Sequence, residues 1–172
     1  MLALLLLAAP LSHAQNEVRN TVFRDADAAR AAADAQNAEL LAPRSYSRAL
    51  KAYTEAEDAL VRGRSIESVR KKVADATAGF EAAAETGRLA NMALAQVMKS
   101  RQDAANARAP ELAPDYWGEA QRKFGDAIRL LERADLKGSK RRDIEATELY
   151  REAELVAIKA QYLSETRRLL AD

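Results

Sequence analysis

The sequence has no cysteine and a single histidine, His13. If a leader containing His13 is cleaved, catalytic pairs that need histidine are excluded, and so are zinc, iron and haem sites that need histidine or cysteine ligands. Neither a Gly-x-Gly-x-x-Gly loop nor a Walker-type loop occurs, because the six glycines are scattered singly. We therefore predict no catalytic residue, no cofactor, no metal site and no enzymatic activity.

Aromatic residues are also scarce, with three Phe, five Tyr and one Trp among 172 residues, whereas alanine occurs 39 times. Alanine is the best helix former but buries little area, so this composition favours closely packed helices over a thick aromatic core. The formal net charge is only +1. The overall charge balance therefore does not indicate a nucleic-acid-binding protein.

The N-terminus carries the longest apolar run, over residues 2–11. A run of about ten residues is too short for a membrane span, which needs about 20. The small-x-small pattern of Ser12, His13 and Ala14 follows, so residues 1–14 are predicted as a signal peptide, although no Lys or Arg precedes the run. No cysteine follows the cleavage site. We therefore predict a periplasmic or secreted protein that is not lipid-anchored.

Beyond residue 17 the apolar residues recur every three or four positions, which predicts helices throughout. A first helix is predicted over 15–42. Pro43 is predicted to end it and to open a second helix, which Gly63 stops. A third helix is predicted over 66–108, and its 3.5-residue repeat favours supercoiling against its neighbours. The predicted buried stripes are Val22, Ala26, Ala29, Ala33, Gln36 and Leu40; Tyr46, Ala49, Tyr53, Ala56 and Leu60; and Val69, Val73, Ala76, Phe80, Ala83, Gly87, Ala90, Leu94 and Val97.

Two parts of the chain match when it is shifted by 71 residues. Tyr46 and Tyr53 then fall on Trp117 and Phe124, and six further residues are identical. All matches except the Leu-Ala-Pro positions lie on one helical stripe, which indicates an internal duplication. A final helix is predicted after Gly138. The identical residues are Leu41, Ala42, Pro43, Ala49, Ala56 and Leu60, matched by Leu112, Ala113, Pro114, Ala120, Ala127 and Leu131. The residues predicted to face inward on the final helix are Leu149, Ala153, Val156, Ala160, Leu163 and Leu170.

The predicted fold is all-α: an elongated stack of antiparallel helical hairpins, in which two duplicated hairpin units form a TPR-like or coiled-coil-like bundle. Its predicted parts are the signal peptide (1–14), an N-terminal helix (15–42), a first hairpin with a long second helix (43–108) and a second hairpin (109–172). Stacking is expected because one hairpin alone cannot bury its apolar face.

Three segments carry a resemblance to a known family: AELLAPRSYSRALKAYTEAEDAL, APELAPDYWGEA and LYREAELVAIKAQYLSETRRLLAD. They resemble the alanine-rich helical region of secreted bacterial proteins grouped as the DUF4398 family, over about residues 30–172. Similar regions precede an OmpA-like peptidoglycan-binding domain in some envelope proteins. The resemblance implies an envelope location and a non-enzymatic role, whereas peptidoglycan binding is not expected of this chain.

Basic residues cluster at both predicted hairpin turns. Cations at a helix N-terminus oppose the helix dipole, so their presence needs a reason. One interpretation is a solvated loop paired with Glu67, Asp143 and Glu145. The other is a basic tip that binds anionic lipid head groups, lipopolysaccharide phosphates or an acidic protein surface. The clusters are Arg62, Arg64, Arg70, Lys71 and Lys72 at the first turn, and Lys137, Lys140, Arg141 and Arg142 at the second.

The aromatic residues favour packing over ligand binding. Trp117 and Tyr46 stand at the start of their hairpins, where such side chains wedge helix ends together more often than they stack on a ligand. Tyr150 and Tyr162 are predicted to lie in helix seams. Two function classes follow. The first is an envelope scaffold or interaction protein that binds other envelope proteins or its own copies. The second is a binding module for an anionic envelope ligand.

Overall fold

The computed structural model describes the backbone of residues 9–171 and the side chains of residues 17–170. Within these residues the chain forms eight α-helices and no strand, so the predicted all-α class is confirmed. The predicted signal peptide lies largely outside the described residues and stays a prediction. The helices are α1 (Ala9–Ala35), α2 (Ala38–Leu41), α3 (Pro43–Val61), α4 (Ile66–Ala93), α5 (Ala95–Asn106), α6 (Ala109–Leu112), α7 (Pro114–Leu131) and α8 (Leu136–Ala171).

The chain divides into two compact units, Met1–Arg88 and Leu89–Asp172, here called unit 1 and unit 2. Unit 1 holds α1 to α3 and most of α4, and unit 2 holds α5 to α8. The predicted hairpins assigned α5 to the first hairpin, whereas α5 packs against α6 and α8 of unit 2. The repeating element therefore also includes two helices before each predicted hairpin, α1 and α2 in unit 1 and α5 and α6 in unit 2.

The backbone conformation repeats with the same 71-residue period as the sequence. Among the described residues, positive φ angles occur at Asn37 (52°), Gly63 (65°), Arg108 (61°) and Ala134 (61°). The shift maps Asn37 onto Arg108 and Gly63 onto Ala134. Arginine and alanine disfavour this left-handed conformation, so the surrounding fold imposes it on them. The predicted duplication is therefore visible in the backbone as well as in the side chains.

Two of these left-handed residues, Gly63 and Ala134, end α3 and α7 in the same way. The Gly63 N–H donates to the Leu60 carbonyl at 3.0 Å, and the Ala134 N–H donates to the Leu131 carbonyl at 2.9 Å. Each bond belongs to a Schellman-type helix end. Gly63 therefore stops α3 as predicted, and alanine takes the same role in unit 2.

The period shortens to 70 residues after these turns. The Ser65 hydroxyl accepts a hydrogen bond from the Ser68 N–H at 3.3 Å, and the Asp135 carboxylate accepts one from the Gly138 N–H at 2.8 Å. Ser65 and Asp135 thus cap α4 and α8. The prediction that the final helix follows Gly138 is wrong, because α8 already begins at Leu136.

The first predicted helix is wrong at its C-terminal end. Helix α1 ends at Ala35, and the left-handed Asn37 separates it from α2. This change of direction moves the buried positions by one residue, so that Leu41 is fully buried and Leu40 is exposed. Phe23, which was outside the predicted stripe, is also fully buried.

The third predicted helix is interrupted at one residue. Leu94 has φ −110° and ψ 15°, which separates α4 from α5. All nine residues of the predicted stripe are nevertheless buried or, at Gly87, closely packed. A straight α-helix drifts by about 20° per heptad from a 3.5-residue repeat, and a local distortion compensates for that drift.

Two glycines of α4 allow close packing in unit 1. A Cβ atom at Gly87 would lie 3.1 Å from the Gln36 carbonyl oxygen, so glycine at this position lets the α1–α2 turn approach α4 closely. A Cβ atom at Gly79 would lie 2.9 Å from the Ala49 Cβ atom. Gly79 therefore lets α3 and α4 touch, which compensates for its low helix propensity.

The inward face of α8 differs from the predicted one. Its buried residues are Ser139, Asp143, Ala146, Thr147, Tyr150, Ala153 and Ala157. Leu163 and Leu170, predicted to face inward, are 58% and 82% exposed. Polar residues occupy three of the seven buried positions. The spacing of apolar residues therefore does not identify this face as the buried one.

Candidate functional site

The first basic cluster surrounds the α3–α4 turn of unit 1. Arg62 pairs with Asp58 at 3.7 Å, and Lys72 pairs with Glu55 at 3.0 Å. The hydrogen bond from Lys72 holds the pKa of Glu55 below its usual value. Arg64, Arg70 and Lys71 are exposed and form no ion pair within the described part of the chain. Three cations of this cluster are therefore available to an anion.

The second basic cluster, at the start of α8 in unit 2, is more fully neutralised. Lys140 pairs with Asp143 at 2.7 Å, and Arg142 pairs with Glu145 at 2.6 Å. Glu145 also accepts a hydrogen bond from Lys123 at 2.8 Å, and these two bonds, the Lys123 bond foremost, lower its pKa. Within the described residues, Lys137 and Arg141 form no ion pair.

The N-terminus of α8 is poorly suited to an anion for a second reason. The Asp135 carboxylate already occupies it and would repel a phosphate. The equivalent cap of α4 is the neutral hydroxyl of Ser65. Of the two predicted basic clusters, the first therefore offers the better anion site. The clusters belong to different units, and their joining into one tip remains a prediction.

A polar cluster that sequence reasoning missed joins α1 to α3 in unit 1. Arg19 donates hydrogen bonds to Asp27 at 2.6 Å, to Glu57 at 3.2 Å and to the Tyr53 hydroxyl, which itself donates to Asp27. Burial would raise the pKa of Asp27, but the bonds from Tyr53 and Arg19 outweigh it and lower that pKa. The spacing of eight between Arg19 and Asp27, two helical turns, was the available signal.

Two tyrosines of the core are buried and hydrogen-bonded, and burial raises their pKa values. Burial, with the hydrogen bond to Asp27, raises the pKa of Tyr53 to about 12. Burial likewise raises the pKa of Tyr150 to about 12, and its hydroxyl donates to the Gln121 side chain at 2.6 Å. Both phenols therefore stay protonated at neutral pH, where neither acts as a base.

Trp117 and Tyr46 pack as predicted. The Trp117 ring meets the Tyr150 ring edge-on at 5.2 Å between centroids, and the Arg101 guanidinium lies 5.7 Å from the Trp117 ring. The Tyr46 ring meets the Phe80 ring edge-on at 5.5 Å. The prediction that Tyr150 lies in a seam is confirmed, because it is fully buried.

The outward face of α8 carries several exposed large apolar residues. The prediction that Tyr162 lies in a seam is wrong, since 69% of this residue is exposed. It belongs to a run of outward positions that alternate by four and three residues along almost the whole helix. These positions are Ile144, Glu148, Arg151, Leu155, Ile158, Tyr162, Glu165 and Leu169.

This outward stripe extends beyond the packed part of unit 2. Gln161 still donates a hydrogen bond to the Ala107 carbonyl at 2.6 Å. Every residue from 162 to 170 is exposed. At 1.5 Å per residue, about 13 Å of helix therefore projects past this last hydrogen bond with apolar residues on its surface.

In the described part of the chain, no helix is both long and apolar enough to cross a membrane. Nor do three or more His, Cys, Asp or Glu side chains gather there in a way that could hold a metal ion. No protein-family model, curated protein or solved structure matches the chain.

Proposed function

We propose that this protein is a non-enzymatic interaction module of the cell envelope, which docks a helical partner along the outward face of α8. The exposed four-three stripe carries this proposal. Apolar residues repeated every 3.5 positions are the pattern by which one helix packs into another. The largest exposed apolar patch of a protein is often a functional surface.

The envelope location rests on the N-terminal apolar run and its small-x-small end, which are typical of a signal peptide. The resemblance to the DUF4398 family points the same way. The non-enzymatic role rests on the absence of cysteine and on the single histidine inside the predicted leader.

Photo-cross-linking in cells tests the docking face. Ile158 and Tyr162 are each replaced by benzoylphenylalanine, and Arg122, an exposed residue of α7, serves as the control position. We expect discrete cross-linked products from the two α8 positions in the periplasmic fraction and none from Arg122. Equal yields from all three positions, or products only in the cytosol, would contradict the proposal.

A second candidate function is anion binding at the first basic cluster. Arg64, Arg70 and Lys71 are exposed and form no ion pair within the described residues, which favours this function. We expect phosphatidylglycerol vesicles to bind the protein at low salt and to release it at about 0.5 M salt, because screening weakens phosphate contacts. Replacing the three residues by glutamine should abolish the binding.

The control for this experiment carries the same change in net charge at a different place. Arg48, Lys51 and Arg122 are exposed cations outside both clusters, and each is replaced by glutamine. If this control weakens vesicle binding as much as the cluster variant does, the attraction comes from overall charge, and the site is rejected.

A further inference from the structure

We propose that the partner of the α8 outward face is the α8 of a second copy of this chain, bound antiparallel. This inference rests on the proposed function, because it names the occupant of the same docking face. It follows from the spacing of the stripe, from its charged positions and from the length of helix that the stripe covers.

The stripe spans about three and a half heptads, and an exposed residue of α8 stands at each four-residue and three-residue step. Five of its eight residues are apolar and exposed: Ile144, Leu155, Ile158, Tyr162 and Leu169. A different face of α8 is already buried inside unit 2. Helix α8 therefore has two packing faces, one used by its own unit and one free for another helix.

The charged residues of the stripe oppose a parallel pair. Two parallel helices in register would place Glu148, Arg151 and Glu165 each against its own copy. Three layers of like charge would then lie in the seam, and like charges directly opposite each other are destabilising.

An antiparallel pair reduces the three layers of like charge to two. When the two helices cross midway between Leu155 and Ile158, Leu155 of one copy meets Ile158 of the second copy, and Arg151 meets Tyr162. An arginine over a tyrosine ring is a favourable contact. Glu148 then faces Glu165, and Arg151 lies one step from that layer, where it offsets the repulsion.

In this register the ends of the stripe form apolar contacts, and residues beside the stripe form pairs of opposite charge. Ile144 of one copy meets Leu169 of the second copy, so the whole stripe is covered. Beside the seam, Glu152 of one copy lies next to Lys159 of the other, and the two-fold axis forms this pair twice. The face is thus complementary to itself, as a symmetric dimer requires.

The size of the contact sets the expected strength of the dimer. Residues 144–169 span about 39 Å of helix, and a helix is about 10 Å wide, so the footprint is about 390 Å² on each chain. Both chains together reach about 800 Å², which is below the range of stable specific interfaces and is typical of weak, transient contacts. We therefore expect a dimer that dissociates on dilution into the low micromolar range.

Sedimentation equilibrium of the purified full chain tests the dimer. Between about 1 and 200 µM we expect the mass to rise from that of a monomer to that of a dimer. The variant Leu155→Glu/Tyr162→Glu should stay monomeric with an unchanged helical spectrum, because both side chains are exposed. The control Val61→Glu, at a residue 85% exposed in unit 1, should still dimerise. A monomer throughout, or a dimer that the double variant leaves intact, overturns the proposal.

The direction of pairing is tested with single cysteines, since the chain has none of its own. The variants Ile144→Cys and Leu169→Cys are oxidised separately and as a mixture. We expect a disulfide-linked dimer only from the mixture, whereas dimers from each variant alone would show parallel pairing and overturn the inference. If the purified chain stays monomeric but Ile158 and Tyr162 still cross-link to another protein in cells, the dimer fails and the docking function stands.

Discussion

Replacing Tyr53 or Phe124 by alanine is expected to lower the free energy of unfolding by about 3 kcal/mol each. The two residues occupy equivalent places in the 71-residue repeat, and only 4% and 2% of their surfaces are exposed. Many of the residues in the core cluster around Tyr53 are alanines, whose side chains are too short to fill the gap. Tyr53 also packs edge-on against Phe23 at 5.4 Å, so its loss removes an aromatic contact as well. Chemical denaturation monitored by circular dichroism measures both changes.

The matched controls are Lys51→Ala and Arg122→Ala. These two residues are also related by the 71-residue shift but are exposed on α3 and α7. We expect each to change the free energy of unfolding by no more than about 0.5 kcal/mol. If the aromatic variants were as mild as these controls, the equivalence of the two helices would be a coincidence of composition.

The protein is expected to lose stability steeply between pH 10 and pH 12. Burial raises the pKa of Tyr53 and of Tyr150 from the ordinary 10 to about 12. A raised pKa stabilises the fold fully below pH 10, and this contribution disappears as the pH rises through the folded value, because only the unfolded phenol ionises in this interval. At about 1.4 kcal/mol for each pKa unit, each tyrosine accounts for about 2–3 kcal/mol.

Phenylalanine variants separate this loss from the titration of lysine. Tyr53→Phe and Tyr150→Phe should each flatten the decline in unfolding free energy between pH 10 and pH 12. Tyr162→Phe is the control, because Tyr162 is 69% exposed and should leave the decline unchanged. The same slope in all three variants would contradict the account of the two buried phenols.

Much of the fold could be predicted because its signals are local. Proline at the first helical position, glycine in the left-handed helix end and a sustained heptad stripe each follow from backbone geometry. These signals placed Pro43 at the start of α3 and Gly63 at its end. They also identified the buried stripe from Val69 to Val97.

The errors arise where tertiary structure overrides local preference. Arg108 and Ala134 adopt left-handed conformations that their side chains disfavour, and nothing in either residue marks a turn. For the same reason the sequence predicts the final helix only after Gly138, although α8 begins at Leu136. Asn37, a residue that does tolerate this conformation, was overlooked inside a continuous stripe, which placed Leu40 in the core.

The candidate site was only partly predictable for a different reason. The exposure of Arg64 and Lys71 follows from their place at a turn, but their lack of ion pairs depends on which acidic side chains the fold brings near. Helix α8 carries one stripe for its own unit and a second for the outside. Buried Asp143 interrupts the first stripe, and the inward residues predicted from apolar spacing share only Ala153 with the buried face.

The most direct test of the central claim, that one helical unit is present twice, is an NMR measurement of backbone φ at Arg108 and Ala134. Three-bond couplings between the amide and α protons, with Cα chemical shifts, distinguish left-handed from right-handed residues. The account predicts positive φ at both, matching Asn37 and Gly63 at the same places of the first unit. Ordinary right-handed helical φ at Arg108 and Ala134 would contradict it, because the second half of the chain would then not repeat the first.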